Sequence, residues 1–234
     1  MINPDGVVIG NSRSSLAGVD LNRRWCTPNA TMHPEIFFLK NSMKLTAEES
    51  AGITIFCDLH GHNKQPNSFF YGCNKAPNEG LLSWTKTRLL PKIFASYEPI
   101  FDFSLCRFSQ EKTKYNTARV VVWNEFKVTN SFTLETSMHG KQKINHFGKT
   151  RRQGKVMQFT DEDFKSIGLN LLRSFRQYGY LETELEKEFK STGGWLKKKK
   201  LDEFTGETAR KKIEQQALID EQNSRILNSS ANPQ

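Results

Sequence analysis

The stretch that most constrains the fold is the apolar run from Ile53 to Cys57, which leads into Asp58-Leu59-His60-Gly61-His62. Its β-branched and aromatic residues, with one late charge, predict a buried strand over 53–59. In an α/β sheet, ligands bind at the carboxyl ends of the strands. Two histidines and an aspartate at that end indicate a metal site or a proton-transfer site, or else loop histidines that make ordinary hydrogen bonds.

Other stretches give further elements by the same rules. β-Branched and aromatic residues predict strands at 7–9, 68–73, 117–123 and 131–136, the last with Glu135 near its carboxyl end. Helical spacing predicts helices from Pro34, over 81–97, and from a capping pair at Thr160 and Asp163 to about residue 180. Residues 140–158 are basic and polar, and a loop is predicted there. These alternating strands and helices predict an α/β chain.

The charge of the chain is unevenly distributed. The net charge is 34 − 25 = +9, whereas the segment from Glu182 to the end contains equal numbers of acidic and basic residues. We therefore expect a basic folded part at 1–181 and a charged helical or disordered tail at 182–234. A basic folded part favours an anionic partner, namely nucleic acid, a membrane surface or an acidic peptide, although the charge can also serve solubility alone.

Cysteine usage and hydropathy bear on the compartment. The four cysteines form no Cys-x-x-Cys pair, which is typical of thiols in a reducing environment. No apolar run reaches the ~18 residues of a membrane span. The first residues lack the charged and apolar regions of a signal peptide. Asn3-Pro4-Asp5-Gly6 is instead turn chemistry, and a turn so early predicts that part of the domain precedes it.

Several short motifs then follow one another along residues 2–178. They are Asn3-Pro4-Asp5-Gly6, Gly10-Asn11-Ser12-Arg13, Gly18-Val19-Asp20-Leu21-Asn22-Arg23-Arg24-Trp25, Asp58-Leu59-His60-Gly61-His62, Thr117-Ala118-Arg119-Val120-Val121-Val122-Trp123 and Phe132-Thr133-Leu134-Glu135-Thr136. Read together, they resemble the zinc metallocarboxypeptidases, in particular the cytosolic branch that removes glutamates from tubulin and other acidic tails. The resemblance implies a mixed β-sheet flanked by helices, and a cytoplasmic protein with microtubules or cilia as candidate locations.

The same resemblance implies the reacting groups. His60 is similar to the third zinc ligand of the family, and Glu135 is similar to the general base that activates the zinc-bound water. Arg13 is similar to the residue that polarises the scissile carbonyl and stabilises the oxyanion. A catalytic zinc ordinarily has three protein ligands and one water, so the implied cofactor is one Zn²⁺ in a complete domain.

The resemblance also implies the groups that hold the substrate. Asn22 and Arg23 are similar to the clamp on the terminal carboxylate, which a forked guanidinium can grip in two places. Arg119 lies in the stretch that lines the pocket for the terminal side chain, where an arginine would favour glutamate or aspartate. His62 is similar to a residue that faces the cleft. The implied partners are acidic protein C-terminal tails such as those of tubulin. A membrane is not expected as a partner, and nucleic acid is disfavoured.

The chain departs from the family pattern at the metal. The other two zinc ligands of the family come from a His-x-x-Glu motif upstream of Asn-Pro-Asp-Gly, and none of the five histidines here has Glu three residues later. The first interpretation is the C-terminal part of a longer catalytic domain whose N-terminal part is missing. The second is a pseudoenzyme that binds acidic tails without cleaving them. A basic nucleic-acid-binding module is the third, and it lacks any recognisable motif.

Overall fold

The computed structural model describes residues 1–11, 13–49, 52–74, 81–144 and 152–191. The chain divides into two compact units, one formed by Met1–Glu79 with Ile100–Phe159 and the other by Gly80–Pro99 with Thr160–Gln234. The elements are α1 (Pro4–Val8), α2 (Pro34–Glu49), β1 (Ile55–His62), β2 (Ser68–Tyr71), α3 (Leu81–Tyr97), α4 (Ala118–Phe126), β3 (Asn130–Ser137), β4 (Lys141–Ile144), β5 (Arg152–Met157) and α5 (Asp161–Ser191), with short 3₁₀ turns at Leu21–Arg23, Phe103–Leu105 and Lys112–Lys114.

The first unit is built on a three-stranded sheet in the order β1-β3-β2. β1 runs parallel to β3, and β2 runs antiparallel to β3. This arrangement confirms the predicted mixed sheet with flanking helices. Among the described residues β1 pairs with β3 alone, so it lies at an edge and is only half-buried rather than buried as predicted; Leu59 is 67% exposed.

Apolar side chains cover both faces of this sheet. On the face shared with α2 and α4, the core is formed by Leu21, Trp25, Ile36, Met43, Ala118, Val121, Val122 and Val128, with Phe56 of β1 packed against it. On the opposite face, the ring of Phe70 contacts those of Phe101 and Phe132 at centroid distances of 5.1 and 5.0 Å. The polar residues at the carboxyl ends of the strands are thus carried on a well-packed base.

The predicted strand at 117–123 is wrong, because these residues form the first part of α4. Ala118, Val120 and Val122 are each no more than 1% exposed, and the first five residues of the helix are all buried, whereas Asn124 and Glu125 are exposed. The buried part of the helix needs no polar face, and a run of valines that favours a strand in isolation is overridden by this burial. Its first backbone N–H group, that of Ala118, is accepted 2.8 Å away by Oδ1 of Asn22.

Two further predictions in this unit are wrong. The predicted turn at 3–6 and strand at 7–9 are one short helix, α1, which begins at Pro4, a residue suited to the first helical position. Gly6 is required there, since a Cβ atom would lie 2.5 Å from the carbonyl oxygen of Ser14. The predicted loop at 140–158 contains the antiparallel pair β4 and β5. Residues 145–151 of that stretch lie outside the described residues.

The second unit is a helix pair, and both helices were predicted. α3 spans Leu81–Tyr97 with Pro91 inside it. α5 begins after a reciprocal cap, in which the backbone N–H of Thr160 donates to Oδ2 of Asp163 at 2.8 Å and the N–H of Asp163 donates to Oγ1 of Thr160 at 3.3 Å. The apolar face of α5 includes Ile167, Leu171, Tyr178, Leu181 and Leu185, all buried.

The predicted boundary between a catalytic part at 1–181 and a tail at 182–234 falls inside α5, which continues to Ser191. The rest of the tail, 192–234, lies outside the described residues, so this division stays a prediction. In the part of the chain that the structure describes, no helix has the length and apolar composition needed to cross a membrane.

Candidate active site

The parallel register of the sheet brings His60 and Glu135 side by side. His60 of β1 pairs with Glu135 of β3, and Glu135 in turn pairs with Phe69 of β2. Paired residues in adjacent strands project from the same face of a sheet. The predicted metal ligand and the predicted general base are therefore neighbours at the carboxyl end of two parallel strands.

Asp58 fixes the ring of His60 from the same strand. Nε2 of His60 lies 2.7 Å from Oδ2 of Asp58 and 3.3 Å from Nδ2 of Asn22. The hydrogen bond to Asp58 raises the pKa of His60 above its ordinary value, against the opposing effect of burial. We assign the Nε2 proton to the shorter contact, so His60 donates to Asp58.

Glu135 lies in an environment suited to holding a proton. Burial raises the pKa of the Glu135 carboxyl above its usual value, and the charge of Asp58 acts in the same direction. His60, Lys114 and Arg119 partly offset this by favouring the carboxylate. A carboxyl group whose pKa is raised by burial is typical of general acid–base catalysts.

His62 lies beside Glu135 but does not form a strong ion pair with it. Its Nδ1 is 3.8 Å from Oε2 of Glu135, and its ring contacts Phe69 edge-on at 4.9 Å. Burial, followed by the charges of Lys64 and His139, lowers the pKa of His62. His62 is thus a mostly neutral imidazole that lines the site, in keeping with the predicted cleft position.

Asn22 is held at both its backbone and its side chain. Its backbone N–H donates to Oδ1 of Asp20 at 3.0 Å, and its side-chain Oδ1 accepts from the backbone N–H of Ala118 at 2.8 Å. Its Nδ2 is the atom that lies against His60. The predicted carboxylate clamp therefore lies against the predicted metal ligand and is hydrogen-bonded to the start of α4.

Asp20 interacts with two of the three predicted arginines, Arg13 and Arg23, a role that its position in the motif does not reveal. Its Oδ2 lies 2.6 Å from Nη2 of Arg13 and 3.9 Å from Nη1 of Arg23. Nη1 of Arg23 also donates to the carbonyl of Asn22 at 2.9 Å. The charge of Arg13 lowers the pKa of His60, which shows that this guanidinium acts on the strand site.

Lys40 of α2 is a second residue that the sequence does not point to. Its side chain is 6% exposed, and Nζ donates to the carbonyls of Trp25 at 2.8 Å and Cys26 at 3.0 Å, and forms an ion pair with Glu125 of α4 at 2.7 Å. A buried ammonium group must be satisfied in this way. Only the helical period that places position 40 on the inner face of α2 could have indicated it.

Arg119 is more deeply placed than a pocket-lining residue on a strand would be. It is 6% exposed, and its Nη1 donates to the carbonyl of Gly72 and lies 3.4 Å from Sγ of Cys73. Its charge reaches Glu135 and also Tyr71, favouring the ionised form of each. The structure therefore brings all seven predicted residues into one unit, while their individual roles stay predictions.

The described residues do not complete a zinc site. A catalytic zinc takes three protein ligands. Within residues 1–11, 13–49, 52–74, 81–144 and 152–191, no group of three or more His, Cys, Asp or Glu side chains is placed to bind a metal ion. His60 would provide one ligand, and its Nε2 already contacts Asp58. No reaction step through a metal follows from these residues alone.

Curated relatives share this sequence over much of its length. Mouse cytosolic carboxypeptidase 4 is 41% identical over 150 residues, which is 60% of this chain and 13% of that protein. Chicken cytosolic carboxypeptidase 1 is 40% identical over 199 residues, which is 79% of this chain and 16% of that protein. The chain thus spans less than a fifth of the length of these relatives. A comparison with family models gives no match.

A solved structure shares the fold. A metallo-carboxypeptidase from Pseudomonas aeruginosa, in complex with (2-guanidinoethylmercapto)succinic acid, superposes with a TM-score of 0.56 at 26% identity, covering 79% of this chain and 45% of that chain. The similarity in three dimensions and the similarity in sequence point to the same group of proteins.

Proposed function

The matched part of this chain belongs to the cytosolic carboxypeptidase branch of the metallocarboxypeptidases, and from that premise we propose that it supplies the substrate-binding and proton-transfer groups of an exopeptidase site. The observation that carries the proposal is the pairing of His60 with Glu135 in adjacent parallel strands, with the amide of Asn22 against His60. One imidazole, one carboxylate and a fixed amide thereby meet at the carboxyl end of the sheet, where α/β proteins bind ligands.

The turn at Leu21–Arg23 would bind the free end of the peptide. A terminal carboxylate requires donors that contact both oxygens, and an amide beside a guanidinium provides them. Asn22 and Arg23 are adjacent and held by Asp20 and Ala118. Arg13, joined to the same Asp20, would lie toward the carbonyl that is attacked and stabilise its developing negative charge.

Glu135 would move the proton. Its oxygens would take a proton from the attacking water and return it to the amine that leaves, so the same carboxyl acts first as a base and then as an acid. The raised pKa of its carboxyl favours the first transfer, because it makes the carboxylate a stronger base. His62 and Phe69 form the wall beside it. Arg119 would favour an acidic terminal side chain through its positive charge near Glu135.

The relatives named metallo-carboxypeptidases imply a metal, and we propose Zn²⁺ with His60 as one ligand. Zinc would supply a Lewis acid and a water of lowered pKa. We further propose that the other ligands come from chain outside this sequence, which the small share of the relatives that it spans supports. Sequencing the transcript upstream of Met1 tests this: a His-x-x-Glu codon pattern in frame is expected, and its absence over several hundred bases favours the non-catalytic alternative.

We propose glutamate-ended acidic tails, such as those of tubulin, as substrates. The net charge of +9 and the arginines of the site support this choice. The relatives are named cytosolic, which supports a cytoplasmic location. Microtubules and cilia are proposed as places where such tails occur.

Calorimetry with a Glu-ended peptide tests the binding part of the proposal on this chain directly. Micromolar binding is expected, together with its loss when the peptide carboxylate is amidated and in Arg23→Ala. Lys44→Ala, an exposed cation on α2, is the matched control and should bind like wild type. Equal binding of the free and the amidated peptide would refute a carboxypeptidase-type site.

Hydrolysis separates the enzyme from the pseudoenzyme. In the whole protein that contains this chain, Glu135→Gln should reduce the release of terminal glutamate about 10²- to 10⁴-fold, since it removes the general base. Peptide binding should be little changed. Binding without any glutamate release in the wild-type protein would establish the alternative, a non-catalytic binder of acidic tails.

A further inference from the structure

The pair β4 and β5, here called the basic hairpin strands (Lys141–Ile144 and Arg152–Met157), is fixed at its base by a buried asparagine. Asn67 is fully buried and has φ of +70°. Its Nδ2 donates to the carbonyl of Gln142 at 2.9 Å, and its Oδ1 accepts the N–H of Gln142 at 2.6 Å. A side-chain amide thus makes the two hydrogen bonds that another strand would make, which fixes the start of β4.

A glycine completes this base. Gly140 has φ of +120°, and a Cβ atom there would lie 2.1 Å from the carbonyl oxygen of Met157 at the end of β5. Its carbonyl accepts the N–H of Asn67 at 2.9 Å. Only glycine allows the two strands to approach so closely. The position of the basic hairpin strands on the first unit is therefore set by close packing at their base.

The base is continuous with the candidate active site. The N–H of Ser137, two residues after Glu135, donates to the carbonyl of Asn67 at 2.9 Å. The N–H of Met138 donates to the carbonyl of His62 at 2.7 Å. The residues that lead into the basic hairpin strands are thereby bonded to the ends of both strands that carry the site.

The charge in this region is of one sign. From 138 to 160 the sequence contains six lysines and arginines and no aspartate or glutamate. Among the described side chains, Lys143 and Lys155 are exposed and Lys141 is half-buried. Lys141 and Lys143 are two positions apart in β4, which is about 7 Å along an extended strand, and the register of β4 with β5 shifts between them. A strand-like acidic segment would match this spacing with its carboxylates.

We propose that the basic hairpin strands bind the acidic segment that precedes the cleaved end of a polypeptide substrate. The inference rests on the proposed function, because it takes the free end of that polypeptide to lie at Asn22 and Arg23. A peptide held there must lead away across the carboxyl ends of β1 and β3, next to which the hairpin base is bonded. Lys141, Lys143 and Lys155 would then attract its upstream glutamates.

The test uses three labelled peptides of twelve residues with this chain. The first ends in glutamate and has glutamates upstream, the second has glutamines upstream, and the third is the first with an amidated end. The variant is the triple change Lys141→Gln, Lys143→Gln and Lys155→Gln. Its matched control, Lys44→Gln, Lys165→Gln and Lys187→Gln, removes the same charge from exposed lysines elsewhere.

Wild type should bind the first peptide about tenfold more tightly than the second, as expected for three charge pairs of which two are fully exposed. The hairpin triple variant should abolish that difference, and the control triple variant should retain it. Equal effects of the two triple variants would overturn the inference. The inference would also be overturned if a single-stranded oligonucleotide displaced the first peptide and no longer bound to the hairpin triple variant.

The amidated peptide separates this inference from the proposed function. If amidation abolishes binding while the hairpin triple variant changes nothing, the proposed function stands and the inference fails. If amidation has no effect and the hairpin triple variant still removes the preference for upstream glutamates, the hairpin surface stands and the carboxypeptidase-type site fails.

Discussion

The two halves of the candidate site are held in different ways. The turn that carries Asn22 and Arg23 is fixed by hydrogen bonds: Asp20 accepts from the backbone of Asn22, the side chain of Asn22 accepts from Ala118, and Lys40 donates to the carbonyl of Trp25 just beyond the turn. The strand pair of His60 and Glu135 is placed by the sheet register, but its charges depend on one another and on Asp58. The hydrogen bonds of the turn are made within the described residues, whereas those residues contain no group of three or more side chains placed to bind a metal ion.

This difference separates binding from hydrolysis. Because the contacts of the turn are all made inside the first unit, its geometry belongs to this chain as it stands. The strand pair needs further ligands before it can act through a metal. We therefore expect carboxylate binding to be a property of the chain alone, and we expect the predictions below to act on one half without the other.

Lys40→Met should give the largest effect on stability, because it removes the buried hydrogen bonds that hold the chain just after the turn. The carbonyls of Trp25 and Cys26 would lose a buried donor, and Glu125 would lose its partner. A loss of about 2–3 kcal/mol in the free energy of unfolding is expected, measured by urea denaturation. Lys44→Met, exposed on the same helix, should cost less than about 0.5 kcal/mol. Equal costs for the two variants would show that the turn does not depend on this clamp.

The strand ends at His60 and Glu135 and the contacts of Lys40 differ in how well the sequence predicts them. The strand ends at His60 and Glu135 could be predicted, because a short apolar run followed by polar residues is a local signal. The contacts of Lys40 could not be predicted, because they join it to residues 15 and 85 positions away and because lysine is ordinarily exposed. α4 could not be predicted either, because its valines favour a strand in isolation. They adopt a helix in a buried place, which the local sequence does not reveal.

The same limit applied to the hairpin. The basic, glycine-containing sequence at 140–158 is locally typical of a loop. The two hydrogen bonds that fix the start of β4 come from the side chain of Asn67, far earlier in the chain. The motifs that carry the resemblance predict seven site residues, whose roles stay predictions. They did not find Asp20 or Asp58 as organisers, because a carboxylate that orients another side chain looks in sequence like any surface aspartate.

Substitutions of Asn22 should separate the structural role of the turn from its binding role, with a smaller effect on stability. Asn22→Ala leaves the N–H of Ala118 without its acceptor and should cost about 1 kcal/mol. Asn22→Asp keeps an acceptor, and a negative charge at the start of α4 is favourable, so stability should change little. Both should abolish binding of a Glu-ended peptide. Retained binding in Asn22→Asp would place the carboxylate away from this turn.

Asp58→Asn should act on the strand pair alone, and its effect, the smallest of these, should depend on pH. The hydrogen bond to Asp58 raises the pKa of His60 above 6.5 in the folded state. A raised pKa contributes stability that is fully present below about pH 6.5 and is lost as the pH rises through the folded value. Asp58→Asn should therefore destabilise the chain more at about pH 5.5 than at about pH 9.

NMR titration of the histidine rings shows which group is responsible. In Asp58→Asn the pKa of His60 should fall toward 6.5. The pKa of His62 should be unchanged, because burial, Lys64 and His139 set it rather than Asp58. Peptide binding through Asn22 and Arg23 should likewise change little in Asp58→Asn, because the hydrogen bonds that hold Asn22 are made with Asp20 and Ala118 rather than with Asp58. A peptide affinity that instead followed the titration of His60 would show that the two halves are coupled, through the contact between Nδ2 of Asn22 and Nε2 of His60.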